Sequence, residues 1–211
     1  YEEVFIFILI TFYMISSQIG SLDKIFSRGL QNGIITEISG LRGTGKTQLA
    51  LQFAIDPLSN NKKILFIDTT VEFRPERFLQ MLQSRNLPES LLENLHVSRV
   101  TDTHKQIEIL KTLDKNYFSL LIIDNITDLF SFEYSKKEHL IEKNTNFGNY
   151  MINLSQITQS EDIPIIITNQ IFSHDEINYQ RMHAQLENYI HQKIHLKKIK
   201  NKNTCIISSP F

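Results

Sequence analysis

The chain has no tryptophan, one cysteine (Cys205), 5 prolines and only 7 glycines among 211 residues. A single cysteine can neither close an internal disulfide nor build a multi-cysteine zinc site, which points to a reducing compartment, the cytoplasm. The 22 basic and 23 acidic side chains nearly cancel, so the surface carries no general basic footprint and any contact with nucleic acid must come from local patches. Long hydrophobic runs are also missing. Residues 4–15 are apolar apart from Thr11, shorter than the ~20 residues a membrane-spanning helix needs, and the Tyr-Glu-Glu start lacks the basic opening of a secretory signal. We expect Met14 to be the native start, with 1–13 an upstream extension; a packed strand or helix and a membrane anchor are the alternatives. Ser208 to Phe211 directly follow an extended-looking run, Thr204 to Ile207, so a core over 14–211 that is truncated at its C-terminus is expected.

What is present begins with the placing of the glycines. Six of the 7 fall in the first 45 residues, and Gly40, Gly43 and Gly45 lie within six positions of one another. With 41% hydrophobic and 21% charged residues the chain is in the globular range. Short aliphatic runs alternate with longer amphipathic stretches, the pattern of an α/β fold with a parallel sheet and covering helices. Strands are predicted at 34–39, 63–68, 120–124 and 163–168, each apolar enough to be buried on both faces. Helices are predicted at 46–55, stopping before Pro57, at 76–84 behind Pro75, from a capping box at Thr103 to Gln106, and around 146–159. Segment 172–188 reads as polar and irregular, and 193–199 with 204–207 as an antiparallel hairpin joined by four residues at the sheet edge.

The strongest chemical signal is Gly40-Leu41-Arg42-Gly43-Thr44-Gly45-Lys46-Thr47, followed by Gln48. It fits a phosphate loop, in which glycines let consecutive backbone N–H groups point at a phosphate and the following helix adds the positive end of its dipole. A nucleoside triphosphate is the ligand such a loop calls for: Lys46 would bridge the β- and γ-phosphates and the Thr47 hydroxyl would ligate Mg²⁺. Asp124, closing Leu120-Leu121-Ile122-Ile123, is the candidate acid for the magnesium shell. Asp68 closes another strand and reads as structural. Gln170 ends Ile167-Thr168-Asn169 at a carboxyl strand edge, where ligands of α/β sheets bind, and is a candidate sensor of the γ-phosphate.

Taken together, Asn32 to Ile38, the loop through Ala50, Ile67-Asp68-Thr69, Phe73-Arg74-Pro75-Glu76-Arg77, Thr101 to His104, Leu121 to Asp124 and Ile167 to Gln170 resemble the ATPase core of the RecA/RadA recombinase family. The resemblance spans 19–210. It implies a RecA-like P-loop fold, supports the roles of Lys46, Thr47 and Asp124, makes Gln170 a switch towards the DNA-binding loop, and suggests that Arg77 stacks on the adenine. With so few residues ahead of Leu22, neither a helical DNA-binding domain nor a polymerisation segment is expected, and this core-only form is similar to the archaeal RadB branch. The family's catalytic glutamate follows Asp-Thr at the end of the second strand; here that position is Thr70, which cannot take a proton from water at neutral pH, and Glu72 lies two residues on.

The family's DNA loops map to 132–146 and 172–187. In the first, Lys136, Lys137 and Lys143 are diluted by Glu133, Glu138 and Glu142; in the second, Arg181 is the only lysine or arginine, with His174 and His183 beside it. The densest basic run, Lys193, Lys197, Lys198, Lys200 and Lys202, suits salt-sensitive phosphate contact rather than base reading. His191 and His195 lie on one predicted strand and read as no metal pair. The resemblance therefore implies an ATP-binding accessory or regulator of a recombinase in DNA repair and homologous recombination, with weak hydrolysis, binding single- or double-stranded DNA without sequence preference. Its partners would be DNA, a recombinase or other repair protein, and further copies of the chain, with no membrane. A strand-exchanging DNA-dependent ATPase and a RecA-fold signalling ATPase that does not act on DNA are the alternatives.

Overall fold

A computed structural model describes residues 14–26, 29–114, 116–174, 177–180, 182–199 and 202–208. The expected extension at 1–13 and the residues from 209 onward lie outside them. The elements run α1 (Gly20–Ile25), β1 (Ile35–Gly40), α2 (Lys46–Ser59), β2 (Ile64–Asp68), α3 (Pro75–Gln83), β3 (Leu95–Arg99) and α4 (Thr103–Lys111). There follow β4 (Leu120–Asp124), α5 (Asp128–Glu133), α6 (Leu140–Ser160), β5 (Ile165–His174), β6 (Ile177–Gln180), α7 (His183–Glu187), β7 (Gln192–Ile199) and β8 (Lys202–Ser208). Short 3-10 turns at Glu89–Asn94 and Lys137–His139 precede β3 and α6.

The sheet order is β3-β2-β4-β5-β1-β7-β8, parallel except for the β7–β8 hairpin, and β6 pairs antiparallel with the far half of β5. Side chains alternate across each strand, so β2 sends Ile64 and Phe66 to one face and Leu65 and Ile67 to the other. The first face packs against α2 and α3 through Phe53, Leu58, Phe78 and Leu82. The second packs against α4, α5 and α6 through Leu110, Phe130, Phe147, Tyr150 and Leu154. Each such side chain contributes roughly 1.5–3 kcal/mol when fully buried, and this double covering is why the central strands are aliphatic on both faces.

Several elements differ from the sequence reading. Helix α2 does not stop before Pro57 but runs through it to Ser59; the proline lies in the last turn, where it forfeits one hydrogen bond, and Pro57 and Leu58 are both buried. The α4 cap is Asp102, whose carboxylate accepts from the Lys105 N–H at 2.7 Å. The expected capping box does not form, because Thr103 bonds Glu133 and Gln106 turns inward to donate to the Ile126 carbonyl. Strand β5 continues past 168 to His174, and β3 and β6 are additional strands. The stretch expected as an open first DNA loop is largely helical, since α6 begins at Leu140. The hairpin ladder extends beyond the expected strands, with Lys198 paired to Asn203 and Ile199 to Lys202. His191 Nδ1 accepts from the Ile35 N–H at 3.1 Å and His195 Nδ1 lies 3.2 Å from the Ser39 hydroxyl, so both rings tie β7 to β1. Among the described residues no helix is long and apolar enough to cross a membrane.

Candidate functional site

Parallel strands bring their carboxyl ends to one edge, and β1, β2, β4 and β5 deliver the site residues there. The chain leaves β1 at Gly40, where a Cβ would lie 2.6 Å from both the Leu196 carbonyl oxygen and the Thr44 hydroxyl; only glycine fits between the loop and β7. Gly43 and Gly45 take left-handed φ values of 77° and 94°, conformations that cost glycine nothing, and α2 starts at Lys46. Lys46 Nζ bonds the carbonyls of Gly40 and Leu41, each at 3.1 Å, so the loop cradles its own cation. Burial holds the Lys46 ammonium below its ordinary pKa, opposed by Asp124, Asp128 and Glu72.

Thr47 Oγ1 donates to Asp124 Oδ2 at 2.6 Å, and the Thr168 hydroxyl donates to Asp124 Oδ1. Asp124 is 6% exposed. Burial raises its pKa, with the nearby Asp68 adding to the rise, while the two hydroxyls and Lys46 pull it down. A hydroxyl and a carboxylate side by side at the foot of a phosphate loop match the hard oxygen donors that Mg²⁺ prefers. Among the described residues no cluster of three or more metal-binding side chains exists, so a magnesium held by Thr47 and Asp124 would complete its shell from water and phosphate oxygens. Bound there, it would neutralise charge on the phosphates.

Lys46, Thr47 and Asp124 line a cavity of about 410 Å³ together with Arg42, Gly43, Gly45, Gln48, Thr70, Glu72, Arg77, Asn125, Asp128 and Gln170. Of the candidate residues, Gly40, Leu41 and Thr44 do not line it. Gly40 backs onto β7, the Thr44 hydroxyl turns back to the Leu41 carbonyl at 2.8 Å, and Leu41 is left 42% exposed. Arg77 Nε donates to Gln48 Oε1 at 2.7 Å, placing both on the cavity wall. Gln170 lies opposite Gly40 in the β1–β5 register.

Asn125 and Asp128 are cavity residues that the sequence reading passed over. Both follow Asp124 within one turn of chain, and the rule that ligands gather beyond carboxyl strand ends is the signal that reaches them. Behind the cavity a buried polar chain links the strand ends. Thr69 Oγ1 donates to the Asn125 carbonyl at 2.6 Å, Thr127 Oγ1 donates to Asn169 Oδ1 at 3.0 Å, and Asn169 Nδ2 donates to Glu37 Oε1 at 3.1 Å. Burial raises the Glu37 pKa, while Asn169, Lys193 and His183 hold it down.

Thr70, where the resemblance described above implies a catalytic glutamate, carries a hydroxyl engaged in the turn. Thr70 Oγ1 donates to Asp68 Oδ1 at 2.9 Å and accepts from the Glu72 N–H at 3.3 Å. Asp68, fully buried, also accepts from the N–H groups of Thr70 and Phe73. In the expected first DNA loop, Lys136 approaches Glu138 at 3.8 Å and His139 lies 3.5 Å from both Glu138 and Glu142. Arg181 of the second loop and Lys200 of the basic run lie outside the described residues; Lys197 and Lys198 are exposed on β7.

The family model Rad51 matches residues 10–196, well over half of the chain. That match covers the phosphate loop, Asp124, Gln170 and the sheet that gathers them, and a RecA-like core is the fold the strand order describes. The chain belongs to the Rad51 family of RecA-type recombinase ATPases, which act in DNA recombination and repair.

Proposed function

We propose that this chain is a RadB-like accessory of homologous recombination, a nucleotide-gated module that binds Mg-ATP at the phosphate loop, hydrolyses it slowly, and acts on DNA or on a recombinase partner in the cytoplasm. The observation that carries the reading is Thr70. The loop and the Thr47–Asp124 pair supply the groups for binding, whereas a hydroxyl already donating to Asp68 offers no proton acceptor to water. Phosphate positioning would fall to Lys46 and the loop N–H groups, with Arg77 and Gln48 beside the base. Gln170, at the end of the β1–β5 pairing, would report γ-phosphate to the β6 segment.

DNA contact would rest on few cations, chiefly the Lys197 and Lys198 side of the hairpin, and so should be weak and steeply salt-dependent, with each neutralised phosphate adding about 0.9 to the logarithmic salt slope. The test is calorimetric ATP titration of the intact chain and of Lys46→Ala, with filter binding to single- and double-stranded DNA at low and moderate salt, with and without ATP. We expect magnesium-dependent ATP binding that Lys46→Ala abolishes, DNA retention that ATP alters, and turnover that Thr70→Glu accelerates. Absence of ATP binding by the wild type would reject the proposal, and wild-type turnover as fast as that of a DNA-activated recombinase would reject the accessory role.

A further inference from the structure

Three carboxylates line the phosphate cavity, and their surroundings differ. Asp124 has both oxygens engaged by the Thr47 and Thr168 hydroxyls, and on the ATP-binding reading it would serve the magnesium shell. Asp128 opens α5, four residues on. Glu72 stands on the turn between β2 and α3, and that turn is unusually well fixed. Asp68 Oδ1 accepts from Thr70 N and Oγ1 at 3.1 and 2.9 Å, Asp68 Oδ2 accepts from Phe73 N at 3.0 Å, and the Thr70 hydroxyl accepts from the Glu72 N–H. The hydroxyl at the usual base position thus anchors the backbone of the acid two residues on. The Glu72 carboxylate lies 3.7 Å from Arg42 of the phosphate loop, and its charge is felt by Lys46 across the cavity.

We propose that Glu72 is the water-orienting carboxylate of this ATPase, restrained by Arg42 until a triphosphate binds. The proposal rests on the ATP-binding reading above. The Arg42–Glu72 pair is largely exposed, with 84% and 70% of the two side chains accessible, so it is weak enough to exchange. A γ-phosphate offers the guanidinium two charged oxygens in bidentate geometry where Glu72 offers one long contact. Once Arg42 turns to the phosphate, Glu72 is released towards the water. The water oxygen bonds to Pγ while the Pγ–O bond to the β-phosphate breaks, its electron pair leaves on ADP, and the water proton passes to the Glu72 carboxylate and then to solvent. Because Glu72 is exposed and reaches the water from two residues beyond the usual position, turnover is slow rather than absent.

The experiment uses the intact chain. ATP affinity is measured by calorimetry and single-turnover hydrolysis with γ-labelled ATP for the wild type, Glu72→Gln, Glu72→Asp and Asp128→Asn. General-base contributions are typically 10²–10⁴-fold; for a base reached from an exposed turn we expect Glu72→Gln to slow the chemical step about 100-fold with ATP affinity within about twofold of wild type. Glu72→Asp, which keeps the carboxylate, should recover part of the rate, which a purely structural role for Glu72 would not give. Unchanged turnover in Glu72→Gln overturns the assignment. So does loss of turnover in Asp128→Asn alone, or a wild type that binds ATP without measurable hydrolysis. A wild type that binds no ATP fails at the prior reading instead, so the two failures are told apart.

Discussion

Val71 is the residue where backbone geometry and side-chain type conflict most directly. It adopts φ 57° on the turn between Thr70 and Glu72, a left-handed conformation that costs a residue with a Cβ roughly 1–2 kcal/mol and is least tolerated by β-branched side chains. Val71 is 45% exposed, so packing offsets only part of the strain. Val71→Gly should therefore stabilise the fold by about 0.5–1 kcal/mol after allowing for the extra freedom of glycine in the unfolded chain, read as a higher midpoint in urea. A lower midpoint would show that the valine is comfortable there. The strain points at function, because the same turn carries Glu72: a relaxed glycine turn should hold the carboxylate less firmly. At this scale the sequence was most legible where chemistry dictates spacing, as with Lys46, Thr47 and Asp124, and least where a residue acts through its neighbours. Thr70 reads as a lost base, and only the bonds to Asp68 and the Glu72 N–H reveal it as a support.

Among the elements, α4 offers the clearest test of local encoding. Asp102 accepts from the Lys105 N–H, and that bond, with the Lys105 side chain, holds the carboxyl below its usual pKa. A carboxyl whose pKa falls on folding stabilises the fold above the ordinary aspartate range and loses that contribution as the pH drops through its folded value. Asp102→Ala should lower Tm at neutral pH, and the gap from wild type should close in strong acid; a gap that persists there would mean that the carboxylate is not the cap. Strands β1, β2, β4 and β5 were readable because burial on both faces leaves an uninterrupted aliphatic run. Strand β3, Leu95-His96-Val97-Ser98-Arg99 at the sheet edge, alternates and hides among turn residues. The extension of β5 past Thr168 and its pairing with β6 leave no trace in the sequence for a related reason: polar strand ends carry no hydrophobic period, and backbone pairing alone defines them.

For the whole molecule, two buried acids set a pH dependence opposite to that of Asp102. Burial raises the pKa of Glu37 and of Asp124 above their unfolded values. Groups of this kind contribute stability at low pH that is lost as the pH rises through their folded pKa. The nucleotide-free protein should therefore gain Tm on mild acidification from neutral pH until the ordinary carboxylates begin to protonate. Asp124→Asn should flatten that rise, and magnesium with ATP should flatten it too by placing positive charge beside Asp124. A Tm that falls steadily from neutral pH downward would refute this balance. Asp124 ends β4 on the same edge of the sheet as Gln170, with Glu37 three residues back on β1, and β5 extends beyond that edge. The strand is paired to β1 up to Gln170 and to β6 from Ile171 onward, without a break between the two ladders. Four further residues of extended chain project about 13 Å beyond the nucleotide cavity. On the proposed function, Gln170 stands where one ladder hands over to the other, so a tilt imposed there by the occupant of the cavity would be carried along β5 to the β6 segment, where DNA or a partner would feel it.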